Sequence, residues 1–491
     1  MGQDDDPPVV NIEENELLRN RLMPDKYWTD NSEPQELDPL RSLLSEWSDP
    51  EDEEEEFRSD FFQGLSGRRK KAAFVLMTIW GITIGLHLVA WGTWIVFGLT
   101  ALFLLQAVRL VWAKPEETPP PLCDEALANA PSVSLLVAAK NEEAVIGQLV
   151  NQLCNLDYPV PKYDLWVVDD HSTDQTPVIL EQLAQQYPQL KIIRRPANAE
   201  GGKSGALNQV FPLTTGDIVG VFDADAKVSP DLLRCVVPLF EAQEMGAVQV
   251  RKSIANASLN FWTKGQAAEM SLDGYFQQQR IAIGGIGELR GNGQFVRRSA
   301  LINCGGWNEQ TITDDLDLTV RLHLDNWKIG FLSQPAVEEE GVTNLKSLWH
   351  QRNRWGEGGY QRYLDYWRFI CTQPMGWRKK LDMFSFILMQ YILPTAAVPD
   401  FMMMTVRHRL PIFSPLTGLI LFLSCWGIFN GVRRAQSDQK LGLGEIFSLG
   451  WQSLKGLWYM MHWFIILPSV TTRMSVRPKR LKWVKTVHQG H

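Results

Sequence analysis

The chain has 491 residues and a net charge of -8, with 48 lysines and arginines against 56 aspartates and glutamates. That length is too great for one hydrophobic core and suits two or three modules, and nothing in the composition implies a nucleic-acid partner. The six cysteines (123, 154, 235, 304, 371 and 425) form no CxxC pair, so neither a disulfide framework nor a zinc site is implied, and a reducing compartment fits.

Residues 1–67 read as an acidic, disordered tail. The run SDPEDEEEEFRSD (48–60) has too little apolar surface to fold alone. The start, MGQDDDPP, lacks the regions of a signal peptide and the hydroxyl residue of a myristoylation motif. A cluster RRKK (68–71) then precedes an apolar stretch in which His87 and Arg109 are the titratable groups. The stretch 72–113 predicts a two-helix transmembrane hairpin turning near Trp91-Gly92, with a cytoplasmic start. The Pro-rich KPEETPPPL (114–122) reads as a linker.

From 130 to 375 the pattern is that of a soluble α/β domain. SVSLLVAA (132–139), DLWVVDD (164–170), DIVGVFDAD (217–225) and GAVQV (246–250) have strand length. Helical patterns over 175–187 and 229–243 alternate with them, the second with Ser229 as N-cap and Pro230 at N1. Such alternation predicts a mostly parallel sheet, with ligands bound beyond the carboxyl ends of the strands. Three apolar blocks follow at 381–404, 413–430 and 456–470. Three crossings would leave the basic tail 473–491 outside, so one block is expected to be interfacial or re-entrant, and 381–472 is read as two or three spans.

Four polar clusters punctuate this plan. VVDDHSTDQ (167–175) puts two carboxylates at a strand end, where they either cap a helix or bind a base and ribose. VFDADAK (221–227) holds Asp223 and Asp225 two residues apart on one side of a strand end. Two close carboxylates there suit a divalent cation shared with a diphosphate. TITDDLDLTVRLHLDNW (311–327) opens an amphipathic helix with Thr313 as its cap, and its acids either stabilise the helix dipole or supply a general base. LWHQRNRWGEGG (348–359) reads by itself as a juxtamembrane basic and aromatic belt. On a helix, however, Gln351, Arg354 and Trp355 share one face, giving phosphate donors beside a flat platform.

With these four in order, the chain resembles the integral-membrane branch of the family 2 inverting glycosyltransferases, over about 130–375. The family's D, DxD, [TE]D and QxxRW pattern is matched by Asp169/Asp170, Asp223-Ala224-Asp225, Asp314-Asp315 and Gln351 to Trp355. AAKNEE (138–143), GGKSGALN (201–208) and GNGQFVRRSAL with GGWNE (291–309) resemble its nucleotide and acceptor loops. The resemblance implies a Rossmann-like nucleotide-sugar glycosyltransferase domain, mostly parallel in its sheet, inserted between transmembrane helices. It also implies that Asp169, Asp170 and Lys203 hold the uridine end, and Asp223 and Asp225 an Mg²⁺ or Mn²⁺ diphosphate. Asp315 is then the base, Arg354, Gln351 and Arg352 steady the leaving group, and Trp355 floors the acceptor site.

Within the family the layout is similar to the cyanobacterial members that glucosylate a lipid. It implies a UDP-sugar donor (UDP-glucose), a diacylglycerol acceptor, and a cytoplasmic catalytic domain on a plasma or thylakoid membrane. The competing reading is a processive polysaccharide synthase of cellulose or hyaluronan type. Such synthases carry an FFCG-like pair where this chain has IGELR (286–290), and Lys140 replaces the usual loop Tyr. Retention of every charged motif position argues against a third reading, a catalytically dead scaffold.

Overall fold

The computed structural model describes residues 67–435 and 442–476. The acidic tail expected over 1–67, Gly67 excepted, and the basic tail beyond 476 lie outside the described residues.

Seven strands form one sheet: β1 (Val133–Ala139), β2 (Tyr163–Asp169), β3 (Leu190–Arg194), β4 (Ile218–Phe222), β5 (Met245–Ile254), β6 (Gln294–Arg297) and β7 (Lys328–Glu339). Their order is β3-β2-β1-β4-β6-β5-β7. All pairs are parallel except those made by β6. β4, IVGVF, is buried along its whole length, because a strand covered by helices on both faces must be apolar throughout. Alternate residues feed two cores. Leu135 and Val137 join one, and Leu136 joins the other with Val168, Val219 and Val221.

Register brings the site to one rim. Ala139 pairs with Asp169, and Val137 pairs with Phe222, so β1, β2 and β4 end together. The chain order reverses at β1, between β2 and β4, which opens the crevice where such sheets bind ligands. The antiparallel β6 then does what a parallel strand could not. It begins at that rim, with Gln294 opposite Val221, so the loop before it reaches the same crevice.

Helices of at least nine residues are α1 (Arg68–Leu88), α2 (Gly92–Trp112), α3 (Ile146–Cys154), α4 (Thr176–Gln186), α5 (Gly202–Val210), α6 (Phe261–Ala282), α7 (Asp314–Leu324), α8 (Leu345–Thr372), α9 (Trp377–Arg407), α10 (Ser414–Ala435), α11 (Leu443–Met460) and α12 (Trp463–Val476). Among the described residues, α1, α2, α9 and α10 are long and apolar enough to cross a membrane. A π-helical turn, Leu388–Ile392, interrupts α9. His87 of α1 lies 2.7 Å from Asp400 of α9, where both side chains are buried.

One expectation is narrowed and another needs correction. The third apolar block does not form a spanning helix. It is divided between α11 and α12, and α12, interrupted by Pro468, has 14 residues, fewer than the roughly 20 that a membrane crossing needs. The helix expected over 229–243 is a short Leu232–Val236 turn followed by a 3₁₀ segment at Val237–Phe240. Ser229 spends its hydroxyl on Asp231, which is the N-cap, and Pro238 lacks the N–H that would continue the ladder.

No motif or apolar run in the sequence marks α6. This 22-residue helix opens with a capping box at Asn260 and Thr263 and joins the soluble domain to the apolar helices. Gln279 Nε2 donates to Leu110 O of α2 at 2.7 Å, and Trp426 Nε1 of α10 donates to Tyr275 Oη at 3.2 Å. The opposite face carries Glu269, Asp273, Gln277 and Arg280, which bond Arg352, Arg290 and Glu288.

Candidate active site

The two strand-end aspartates of β2 divide their work. Asp169 is 1% exposed, and its Oδ1 accepts from Ser172 N at 3.0 Å while Arg194 Nε lies 3.3 Å from Oδ2. It organises the turn after β2. Asp170 is more open, with Arg195 Nη1 at 2.8 Å and Lys140 Nζ at 3.9 Å. Lys140 thus adds positive charge to the crevice wall where the family has a ring.

At the end of β4, Asp223 receives a hydrogen bond from Lys203, in the first turn of α5. Burial would push the Asp223 carboxyl up, but Lys203, Lys252 and Arg354 together hold it below the ordinary aspartate value. Burial likewise pulls the Lys203 ammonium down, and Asp223, Asp314 and Asp315 more than reverse that. Asp225 Oδ2 accepts from Glu340 N at 3.0 Å.

No group of three or more metal-ligating side chains occurs among the described residues. Two carboxylates without a protein cage fit a hard divalent cation that completes its shell from phosphate and water.

Asp314 and Asp315 open α7 behind Thr313. Thr313 is the N-cap, but its hydroxyl makes no capping bond and is buried without a hydrogen-bond partner. Asp315 Oδ1 accepts from Leu316 N at 2.8 Å. Burial and the neighbouring Asp314 charge push the Asp315 carboxyl up to about 6, against Leu316 N–H, Arg290 and Lys203. A value there leaves a buried carboxylate basic enough to accept a proton near neutrality.

α8 delivers the last cluster. Gly358 lies so close to Thr313 that a Cβ would sit 2.2 Å from Oγ1, so only glycine lets the two helices meet here. One turn earlier on the same face is Arg354, whose guanidinium burial draws below the usual arginine value despite Asp223, Asp315 and Asp314. The Trp355 ring has the Arg352 guanidinium 4.0 Å from its centroid and Lys252 Nζ at 5.5 Å.

Arg352 departs from expectation. It is fully buried, with Nη2 at 2.5 Å from Glu269 Oε2 and 3.2 Å from Tyr459 Oη, and Nη1 at 2.8 Å from Gln351 Oε1. Residues two apart on a helix point about 200° apart. Arg354 faces the acids of β4 and α7, and Arg352 ties α8 to α6 and α11.

The structure therefore gathers Lys203, Asp223, Asp315 and Arg354 into one electrostatic cluster, with Trp355 linked to it through Lys252. Sequence reasoning missed Glu288, Arg290, Asp273 and Glu269. The signal for the α6 pair was its spacing, with Glu269, Asp273, Gln277 and Arg280 on one helical face. Glu288 and Arg290 show as charges inside the run IAIGGIGELRGNG.

Residues 130–358 match the model of the glycosyltransferase like family 2. A beta-monoglucosyldiacylglycerol synthase of Synechocystis sp. is 62% identical over 95% of this chain and 97% of its own length. One of Trichormus variabilis is 58% identical over 95% of this chain and 99% of its own. The fold is similar to that of a mannosyltransferase of Pyrobaculum calidifontis solved with GDP-Man and Mn²⁺. That likeness has a TM-score of 0.50 at 21% identity and covers 77% of this chain and 99% of the other. Motif order, sheet and relatives agree, and this chain belongs to glycosyltransferase family 2.

Proposed function

We propose that the chain transfers glucose from UDP-glucose to the 3-hydroxyl of 1,2-diacylglycerol, with inversion, giving a β-monoglucosyl lipid. The observation that carries the chemistry is the grouping of a buried, basic Asp315 with Lys203, Asp223 and Arg354. The names of relatives at 62% and 58% identity support the lipid acceptor.

Asp315 takes the proton of the glycerol hydroxyl as its oxygen forms a bond to the anomeric carbon. The bond from that carbon to the diphosphate breaks, and its electron pair leaves with UDP. Arg354 and Lys203 face the charge that develops there, an effect worth about 3–4 kcal/mol per well-placed donor. Asp223 and Asp225 would hold Mg²⁺ or Mn²⁺, which when bound neutralises the diphosphate. Asp170 and Arg195 form the wall for the uridine end, and Trp355 the platform under the acceptor. A single displacement on an α-linked donor gives the β product.

Four crossings place RRKK before α1, WRKK at the start of α9, and Arg433 and Arg434 at the end of α10 on one side. These outweigh Arg407, His408 and Arg409 at the far turn, so the catalytic domain is read as cytoplasmic. The exposed stripe of α11 (Leu443, Phe447, Trp451, Leu454 and Trp458) suits a helix lying in the membrane surface.

The test is to incubate purified protein with labelled UDP-glucose and dioleoylglycerol and identify the product. One monohexosyl diacylglycerol with a β linkage supports the proposal. Acid-insoluble polymer without glycolipid overturns it in favour of a processive synthase.

A further inference from the structure

The reaction above leaves the charged loop before β6 unused. Arg290 immediately precedes Gly291, where φ is +80° and a Cβ would lie 3.4 Å from Asp315 Oδ2. The arginine therefore leaves the backbone beside the proposed base, and its charge acts on that carboxylate.

The guanidinium is fixed along one edge. Nε lies 3.2 Å from Asp273 Oδ1, and Nη2 lies 2.6 Å from the same oxygen and 2.8 Å from Glu288 Oε2. Glu288 is fully buried and is itself held by Arg280 at 3.2 Å and Arg362 at 2.8 Å. Its backbone N–H and carbonyl both bond the Gln277 side chain, at 2.9 Å each. An arginine has five N–H donors. Three are directed at Asp273 and Glu288, and the Nη1 pair has no partner among the described residues. The side chain keeps 21% of its surface exposed.

Diacylglycerol offers one hydroxyl, which Asp315 needs, and two esters, whose oxygens can only accept hydrogen bonds. A donor-only group beside the base matches the second of these. We propose that Arg290 orients the acceptor, its Nη1 edge donating to an acyl-ester carbonyl while Asp315 takes the proton of the adjacent hydroxyl. Asp273 and Glu288 are the positioning residues that hold the guanidinium. The inference rests on the diacylglycerol reading.

The experiment compares a diacylglycerol with the 1,2-dialkylglycerol of equal chain length, in which both carbonyls are absent, at saturating UDP-glucose. A hydrogen bond to a charged group predicts a wild-type preference for the diester of about ten- to a hundredfold in kcat/KM. Arg290→Gln should bring the diester down to the diether level, with the KM for UDP-glucose within about twofold, and Arg290→Lys should fall between. Equal use of both acceptors by the wild type overturns the inference whether or not the variant folds. So does an Arg290→Gln enzyme that slows on both acceptors and keeps the preference. Glucosylation of neither lipid refutes the acceptor reading itself, and the inference with it.

Discussion

The donor and acceptor halves of the site are built in different ways. On the proposed donor side, Asp169, Asp170, Asp223 and Asp225 lie at or just beyond the ends of β2 and β4, and several of their partners are close in sequence. Asp169 bonds Ser172, and Arg195 reaches Asp170 from the end of the next strand. Lys203 and Asp223 are likewise separated by 20 residues. On the acceptor side, the contacts join distant segments. Glu269 meets Arg352 across 83 residues and Trp463 across 194, and Arg280 meets Asp382 across 102. The first half is a property of a parallel sheet, whereas the second exists only when the soluble domain is docked on its membrane helices. Damage to the membrane interface should therefore impair acceptor handling before donor binding.

Removing the divalent ion should give the largest effect. EDTA should silence the enzyme and Mg²⁺ or Mn²⁺ restore it, and Asp225→Ala should not respond to either. Full turnover in chelator would show that the Asp223–Asp225 pair is structural.

Next in size is the contrast between the two arginines of α8. Arg354→Met should lower kcat by about 10²–10³-fold at an unchanged melting temperature, because it removes charge from the leaving group. Arg352→Met should do the reverse. It leaves Glu269 buried without its cation, a loss of about 3–5 kcal/mol. The apparent melting temperature should fall while the rate per folded molecule changes less than tenfold. Equal phenotypes would erase the distinction between the faces of α8.

A smaller effect concerns pH. Because the Asp315 carboxyl is raised to about 6, it is a base above that pH and is lost as one when pH falls through it. The acid limb of kcat/KM should therefore bend near pH 6, and a limb near 4 would point to a fully solvated base. The smallest effect is expected at the uridine wall, where Asp170→Asn should raise the KM for UDP-glucose several-fold and leave kcat intact.

How much of this was legible follows the same division. An apolar run ending in acids is a local pattern, so the ends of β2 and β4 could be read from seven or eight letters. The QxxRW knot could be found, but not the roles of its two arginines, since only the rotation of α8 decides which meets Asp223 and which meets Glu269. The helix α6 was missed because its polar residues, spaced like an ordinary solvated face, point inward at Arg352, Arg290 and Glu288. Thr313 was legible as a cap by position, yet its hydroxyl, packed beside Gly358, makes no capping bond. The division of the last apolar block reflects a break after Met460 and the packing of α12 on α1, α8 and α9, neither of which hydropathy records.

The most direct test of the account is to measure UDP-glucose binding and transfer to diacylglycerol in Asp315→Asn and Asp314→Asn. Adjacent helical residues point about 100° apart, so one of the two carboxylates faces the anomeric carbon. The account predicts that Asp315→Asn binds UDP-glucose within about twofold of the wild type and loses transfer by about 10³-fold. Asp314→Asn should retain measurable turnover. Collapse in Asp314→Asn with transfer surviving in Asp315→Asn would contradict it and make Asp314 the base.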